Sequence, residues 1–244
     1  MIRNEGADVA AVEELECQVL GNLGVVIEQL DQALESIARH EARLAWNVLA
    51  GDEQIVKDCV LVHQRVLSLL EANRLGAAGL LVTGALFHVV RGTVRIESEC
   101  VKIADVATAW MSEERGDAPP LDVIERAGRL SLAEVSLSKQ AFALRSIERA
   151  HDAARADADL RALNRDALGG AAEVADGREV RDRGMFLFLV ACRLERIGDS
   201  ALDIAEQTVT VDRGLCARGP RLMGTPVPSG VLARPPRKRD LVEI

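Results

Sequence analysis

Arg193-Leu-Glu-Arg-Ile-Gly-Asp-Ser-Ala-Leu-Asp-Ile-Ala-Glu206 is the stretch on which the fold of this chain turns. At about 100° per residue its apolar and acidic positions separate onto two sides of one helix. Leu194, Ile197, Ala201, Ile204 and Ala205 take one side, and Glu195, Asp199, Asp203 and Glu206 form a carboxylate stripe on the other. Such a stripe is stable in water, because like charges one turn apart cost only a few tenths of a kcal/mol when solvated. Drawn inward it needs countercharge, either a hard cation bound through oxygens or an arginine from a neighbouring helix. Spacing alone leaves the solvated, arginine-neutralised and metal-bound readings open.

Working outward, the same periodicity continues in both directions. Leu23, Val26, Ile27, Leu30, Leu34 and Ile37 recur at three- and four-residue steps, as do Ile55, Cys59, Val62, Val66, Leu69 and Leu70. A turn at His40–Glu41 or at Gly51–Asp52 separates these two helices, and a third runs from Leu80 to Met111. Proline, excluded from helix interiors, falls in only two places, at Pro119–Pro120 and after residue 219. Beyond the first break the pattern predicts helices over Leu121–Arg149, Asp157–Leu168 and Arg181–Val211, with a break at Gly169–Gly170. Val101-Lys-Ile-Ala-Asp-Val-Ala107 aligns without gaps on Glu195-Arg-Ile-Gly-Asp-Ser-Ala201, and each copy lies near the end of the third helix of its half. The expectation is an all-α chain of two tandem, duplicated three-helix bundles at 1–111 and 121–211, with a linker at 112–120. Residues 212–244, with five prolines, four glycines and seven basic against three acidic residues, read as a disordered basic tail.

Composition narrows the function. The chain of 244 residues is 48% hydrophobic yet only 2% aromatic, with no tyrosine, so its interior is aliphatic and it lacks an aromatic nucleic-acid platform. A net charge of −8 makes generic nucleic-acid binding unfavourable. Cys17, Cys59, Cys100, Cys192 and Cys216 are far apart with no CxxC pair, which predicts buried thiols in a reducing cytosol. The apolar stretch Leu75–Val90 is short for a bilayer and interrupted by glycines, so no membrane insertion is expected, and the N-terminus has no signal-peptide pattern. Trp46 and Trp110 fall on apolar faces where packing is expected. Glu148-Arg-Ala-His151 is a single ExxH element, whereas a di-iron carboxylate bundle needs two. No Walker-type glycine loop, GxSxG or HExxH occurs.

The run Met185–Val209, MFLFLVACRLERIGDSALDIAEQTV, resembles the last helix of the PhoU family of bacterial phosphate-uptake regulators, whose signature there is LERIGD followed by an acidic or amide position and Ile-Ala-Glu. The duplicated bundles extend the likeness over residues 9–211. The resemblance implies a dimeric, cytoplasmic, non-catalytic adaptor between the ATPase subunit of a phosphate ABC transporter and a sensor histidine kinase. It further implies metal clusters (Fe, Zn, Mn or Mg) held by Glu/Asp-xxx-Asp pairs. Here Glu195 and Asp199 match the pair on the last helix, Asp203 the acidic position after it, and Asp157 the first acid of the middle helix, whose second acid is replaced by Arg161. In the first half Asp105 survives, Val101 replaces the glutamate, and Asp52 is followed by Val56. The second bundle alone therefore keeps a candidate metal set: Asp157, Glu195, Asp199 and Asp203. The competing expectation is that Arg161 supplies fixed positive charge to Glu195 and Asp199. Two further classes stay open, a carboxylate metal-binding protein and a helical scaffold without the signalling partners.

Overall fold

The computed structural model describes residues 5–72, 75–112, 121–173 and 178–216. Among them every element is α-helical: α1 (Glu5–Ala38), α2 (Ala42–Glu71), α3 (Ala77–Ser112), α4 (Leu121–Leu144), α5 (Ile147–Glu173) and α6 (Arg178–Cys216). Helices α1, α2 and α3 pack on one another, as do α4, α5 and α6, and the two trios meet through α1 against α4 and α3 against α6. Helices α2 and α5 touch only their own trio and form the two outer flanks.

The apolar periodicity becomes the core as expected. Leu23, Val26, Leu30, Leu34 and Ile37 of α1 are buried, as are Ile55, Cys59, Val62 and Val66 of α2, with Ile27, Leu69 and Leu70 partly buried against them. Helix α3 is long and apolar enough to cross a membrane by composition. In this fold it packs against α1, α2 and α6 instead, and it buries Glu97 and Glu99 along its length.

Both halves turn from first to second helix in the same way. His40 and Arg145 adopt left-handed backbone angles, with φ of 53° and 52°. The Glu41 and Ser146 amides reach back to the carbonyls of Ser36 and Ala141, closing the same C-terminal motif twice. Ser146 then caps α5 by accepting a bond from the Arg149 amide.

These turns correct several boundaries. The second helix is one piece from Ala42, with Gly51–Asp52 in its interior. The fourth helix ends at Leu144 and not at Arg149, and the fifth begins at Ile147 and not at Asp157. The expected break at Gly169–Gly170 lies within α5, where the helix tolerates both glycines. Helix α6 continues to Cys216, five residues into the expected tail, while 217–244 and the linker residues 113–120 lie outside the described residues. Trp110 packs on Phe186 with ring centroids 4.6 Å apart, but Trp46 faces solvent at 61% exposure, contrary to the packing role expected of it. Of the cysteines, Cys59 and Cys100 are buried, whereas Cys17 is exposed and Cys192 half-buried.

The trios are joined antiparallel. A methyl group on Gly92 of α3 would come within 2.8 Å of Ile204 on α6, so glycine there lets the two backbones approach. At the other contact Gly128 of α4 accommodates Leu34 of α1 in the same way. The antiparallel register sets Glu99, just before the first repeat motif, against Arg193 and Arg196 at the start of the second.

Candidate regulatory site in the second bundle

Helix α6 presents its carboxylates on one face, and each of the three nearest the core is met by a different neighbour. Glu195 accepts a long bond of 3.4 Å from Asn164 Nδ2 of α5. Asp199 accepts 2.7 Å from Arg161 Nη2. Asp203 accepts 3.2 Å from Arg95 Nη1 of α3, across the joint between the bundles. Glu206 is exposed.

Arg161 is the hub. Its Nε donates to both oxygens of Asp157, one turn earlier on α5, at 2.9 and 2.8 Å, while Nη2 holds Asp199. Burial pulls the guanidinium toward losing its proton, but the bonds and charges of Asp157 and Asp199 outweigh this and raise its pKa above the ordinary arginine range. Asp157 itself is only 4% exposed, while Arg161 and Asp199 are half-buried.

A fourth group belongs to the cluster that the sequence reading missed. Glu134 of α4 is fully buried, and neither carboxylate oxygen has a hydrogen-bond partner within the protein. Burial pushes its carboxyl well above the usual range; the charges of Asp157 and Asp199 add to this, and Arg161 opposes it. Burial therefore favours the neutral form of Glu134. Gly198 makes the convergence sterically possible, since a Cβ there would lie 2.8 Å from Glu134 Oε2 and 3.1 Å from Asp157 Oδ1. A signal for Glu134 did exist in the sequence. Ser131, Glu134 and Ser138 fall on the same inward stripe of α4 as Ile124, Ala127 and Ala141, and all are buried.

The first bundle holds a reduced version of this centre. Gln29 stands eleven residues before its left-handed turn residue, as Glu134 does, and Asp52 stands twelve after it, as Asp157 does. Asp52 bonds Glu97 of α3, whose carboxyl is pushed up to about 8 by burial, then by the hydrogen bond and charge of Asp52, with Lys102 opposing. The repeat's surviving acid, Asp105, is exposed and does not join this centre.

The metal set suggested by the resemblance does not fit the residues as placed. Arg161 puts a permanent positive charge between Asp157 and Asp199, and Glu195 and Asp203 are directed to Asn164 and Arg95. Among the described residues no three His, Cys, Asp or Glu side chains gather in a way that holds a metal.

No family model matches the chain. Nor does any curated protein. Solved structures do. One is the crystal structure of PhoU from Pseudomonas aeruginosa, with a TM-score of 0.79 and 24% identity, covering 84% of this chain and 98% of that one. Another is the phosphate transport system regulatory protein PhoU from Streptococcus pneumoniae, with a TM-score of 0.77 and 20% identity, covering 85% of this chain and 97% of that one. The chain has the PhoU fold, a duplicated three-helix bundle, and carries an arginine-centred ion cluster in its second half.

Proposed function

We propose that this chain is a cytoplasmic, non-catalytic regulator of phosphate uptake and of the response to phosphate starvation. It would act as an adaptor between the ATPase subunit of a phosphate ABC transporter and a sensor histidine kinase. The observation that carries this reading is the extent of the structural match, which takes in nearly the whole of two PhoU proteins, one of them described as a phosphate transport system regulatory protein. The interior chemistry is in keeping with it. In the second bundle Arg161 is bonded to both Asp157 and Asp199, an internal pairing that joins helices rather than binding a substrate. An adaptor of this kind shifts populations: the partner state that binds the bundles more tightly becomes favoured, and no chemistry on phosphate is needed.

The test is genetic and then physical. Deleting the gene is expected to derepress phosphate-scavenging genes in phosphate-replete medium, and the transporter ATPase is expected to be recovered with the tagged protein from such cells. An unchanged response with no ATPase recovered would leave the scaffold reading in its place.

A further inference from the structure

Helix α1 carries eight acidic residues and no Lys, Arg or His. At about 100° per residue Glu28, Asp31 and Glu35 fall within an arc of about 60° on one side of it. That side edges an open groove of about 140 Å³ where α1 meets α4, and so where the first bundle meets the second. Leu34, Ile124, Gly128 and Leu132 give the groove an apolar floor, and Asp31, Glu35 and Glu125 give it an acidic rim. Glu28 stands one turn before Asp31 on the same stripe. Glu35 is held by Arg39 at 2.7 Å and Glu125 faces Arg129 at 3.6 Å. Glu28 and Asp31 are exposed and have no basic partner among the described residues.

The opposite charge lies in residues 217–244, which hold six basic and two acidic residues in a chain whose net charge is −8. Four of the six stand together in Arg234-Pro-Pro-Arg-Lys-Arg239. We propose that this segment docks in the groove between α1 and α4 of its own chain, with the prolines on the apolar floor and the basic side chains on Glu28, Asp31 and the rim. The spacing suits it. Consecutive prolines favour polyproline II, with three residues per turn, so Arg234 and Arg237 project from one side about 9 Å apart. Along α1 the carboxylate stripe from Glu28 to Glu35 rises about 10 Å. The reach allows it as well. Glu134 of α4 lies against Gly198 of α6 and these two helices run in the same direction, so Gly128 is level with Cys192, about 36 Å from Cys216 at 1.5 Å per residue. The eighteen residues from Cys216 to Arg234 span up to about 56 Å at 3.1 Å each, enough to cover that rise and to pass round α4. A tethered segment meets the groove at an effective concentration in about the millimolar range, which sets it ahead of a free basic peptide. Docked there, it fastens the two bundles across their seam. This inference does not depend on the phosphate-signalling reading.

Zero-length carbodiimide cross-linking of the full chain tests it, because Lys238 is the only lysine after residue 216. Lys238 is expected to couple to Glu28, Asp31, Glu35 or Glu125, and to do so within one chain when isotope-labelled and unlabelled protein are mixed. Glu28→Gln with Asp31→Asn is expected to raise the rate of tryptic cleavage after Arg237, Lys238 and Arg239 ~10-fold at low salt, the loss of two exposed ion pairs. About 0.5 M NaCl should abolish the difference by screening. Circular dichroism of the variant should match the parent, since both carboxylates are exposed. Lys238 left uncoupled, or coupled to a second copy or to carboxylates away from the groove, would overturn the proposal. So would equal cleavage rates in parent and variant.

Discussion

Arg161 sits where burial and charge pull in opposite directions, and charge prevails because two carboxylates share one guanidinium. Removing the guanidinium while keeping its volume, as in Arg161→Met, strands Asp157 in the interior, and an uncompensated buried charge costs about 3–5 kcal/mol. Urea unfolding at pH 7 is expected to show that loss. Glu97 provides a separate test at the same scale. Its carboxyl titrates near 8 in the folded chain, against 4.5 ordinarily. Between those values the folded chain holds a proton that the unfolded chain releases, so this group makes stability fall as pH rises from about 4.5 to about 8. The slope approaches about 1.4 kcal/mol per pH unit. Glu97→Gln keeps a donor for Asp52 and has nothing to titrate, so its stability relative to the parent is expected to improve steadily over that window in thermal unfolding at stepped pH. At this scale the sequence was only partly legible. Arg161 stood out by replacing an acid that the family resemblance places there, but Glu134 and Glu97 were hidden because a carboxylate inside an apolar stripe looks like a surface residue until the neighbouring helices are in place.

The helix hairpins show where sequence patterns lose resolution. Helix identity was readable from apolar periodicity, and the long faces of α1 and α2 came out as the spacing requires. The α4–α5 turn was not readable, because its left-handed residue is Arg145 and not glycine, while Gly169–Gly170, which looks like a stop, lies inside α5. The two turns differ in what holds them. His40 makes no side-chain contact at its turn among the hydrogen bonds and ion pairs described, whereas Arg145 donates 2.6 Å to the Phe142 carbonyl and 2.7 Å to Glu16 and lies over the Phe142 ring. His40→Gly is therefore expected to stabilise the chain by about 0.5–1 kcal/mol by relieving the left-handed strain, less the added freedom of the unfolded chain. Arg145→Gly is expected to destabilise it, because the partly buried ion pair to α1 is lost along with the strain. Chemical denaturation of both variants checks the opposite signs.

For the whole molecule, the duplication is what places the chemistry. The antiparallel seam of α3 and α6 brings the starts of the two repeat copies together, and there nearly buried Glu99 takes Lys102 at 2.8 Å, Arg193 at 3.3 Å and Arg196 at 3.7 Å. Glu99 and Arg193 each stand two residues before a repeat copy, so the seam pairs one half's acid with the other half's base. A double-mutant cycle between Glu99→Gln and Arg193→Met is expected to give a coupling of about 1–3 kcal/mol, the range for contacting groups in one network; a coupling near zero would mean the seam is held by its apolar contacts alone. The repeat that revealed this symmetry was visible in the sequence, and so was the loss of acids from the first half, whereas the pairing of Asp52 with Glu97 was not, since it depends on which acids face inward. The account's central claim is that Arg161 is the fixed countercharge of the second bundle. Elemental analysis of the purified full-length protein tests it most directly: the prediction is no stoichiometric Fe, Zn, Mn or Mg in the parent chain. Stoichiometric metal that Asp199→Ala removes would contradict it.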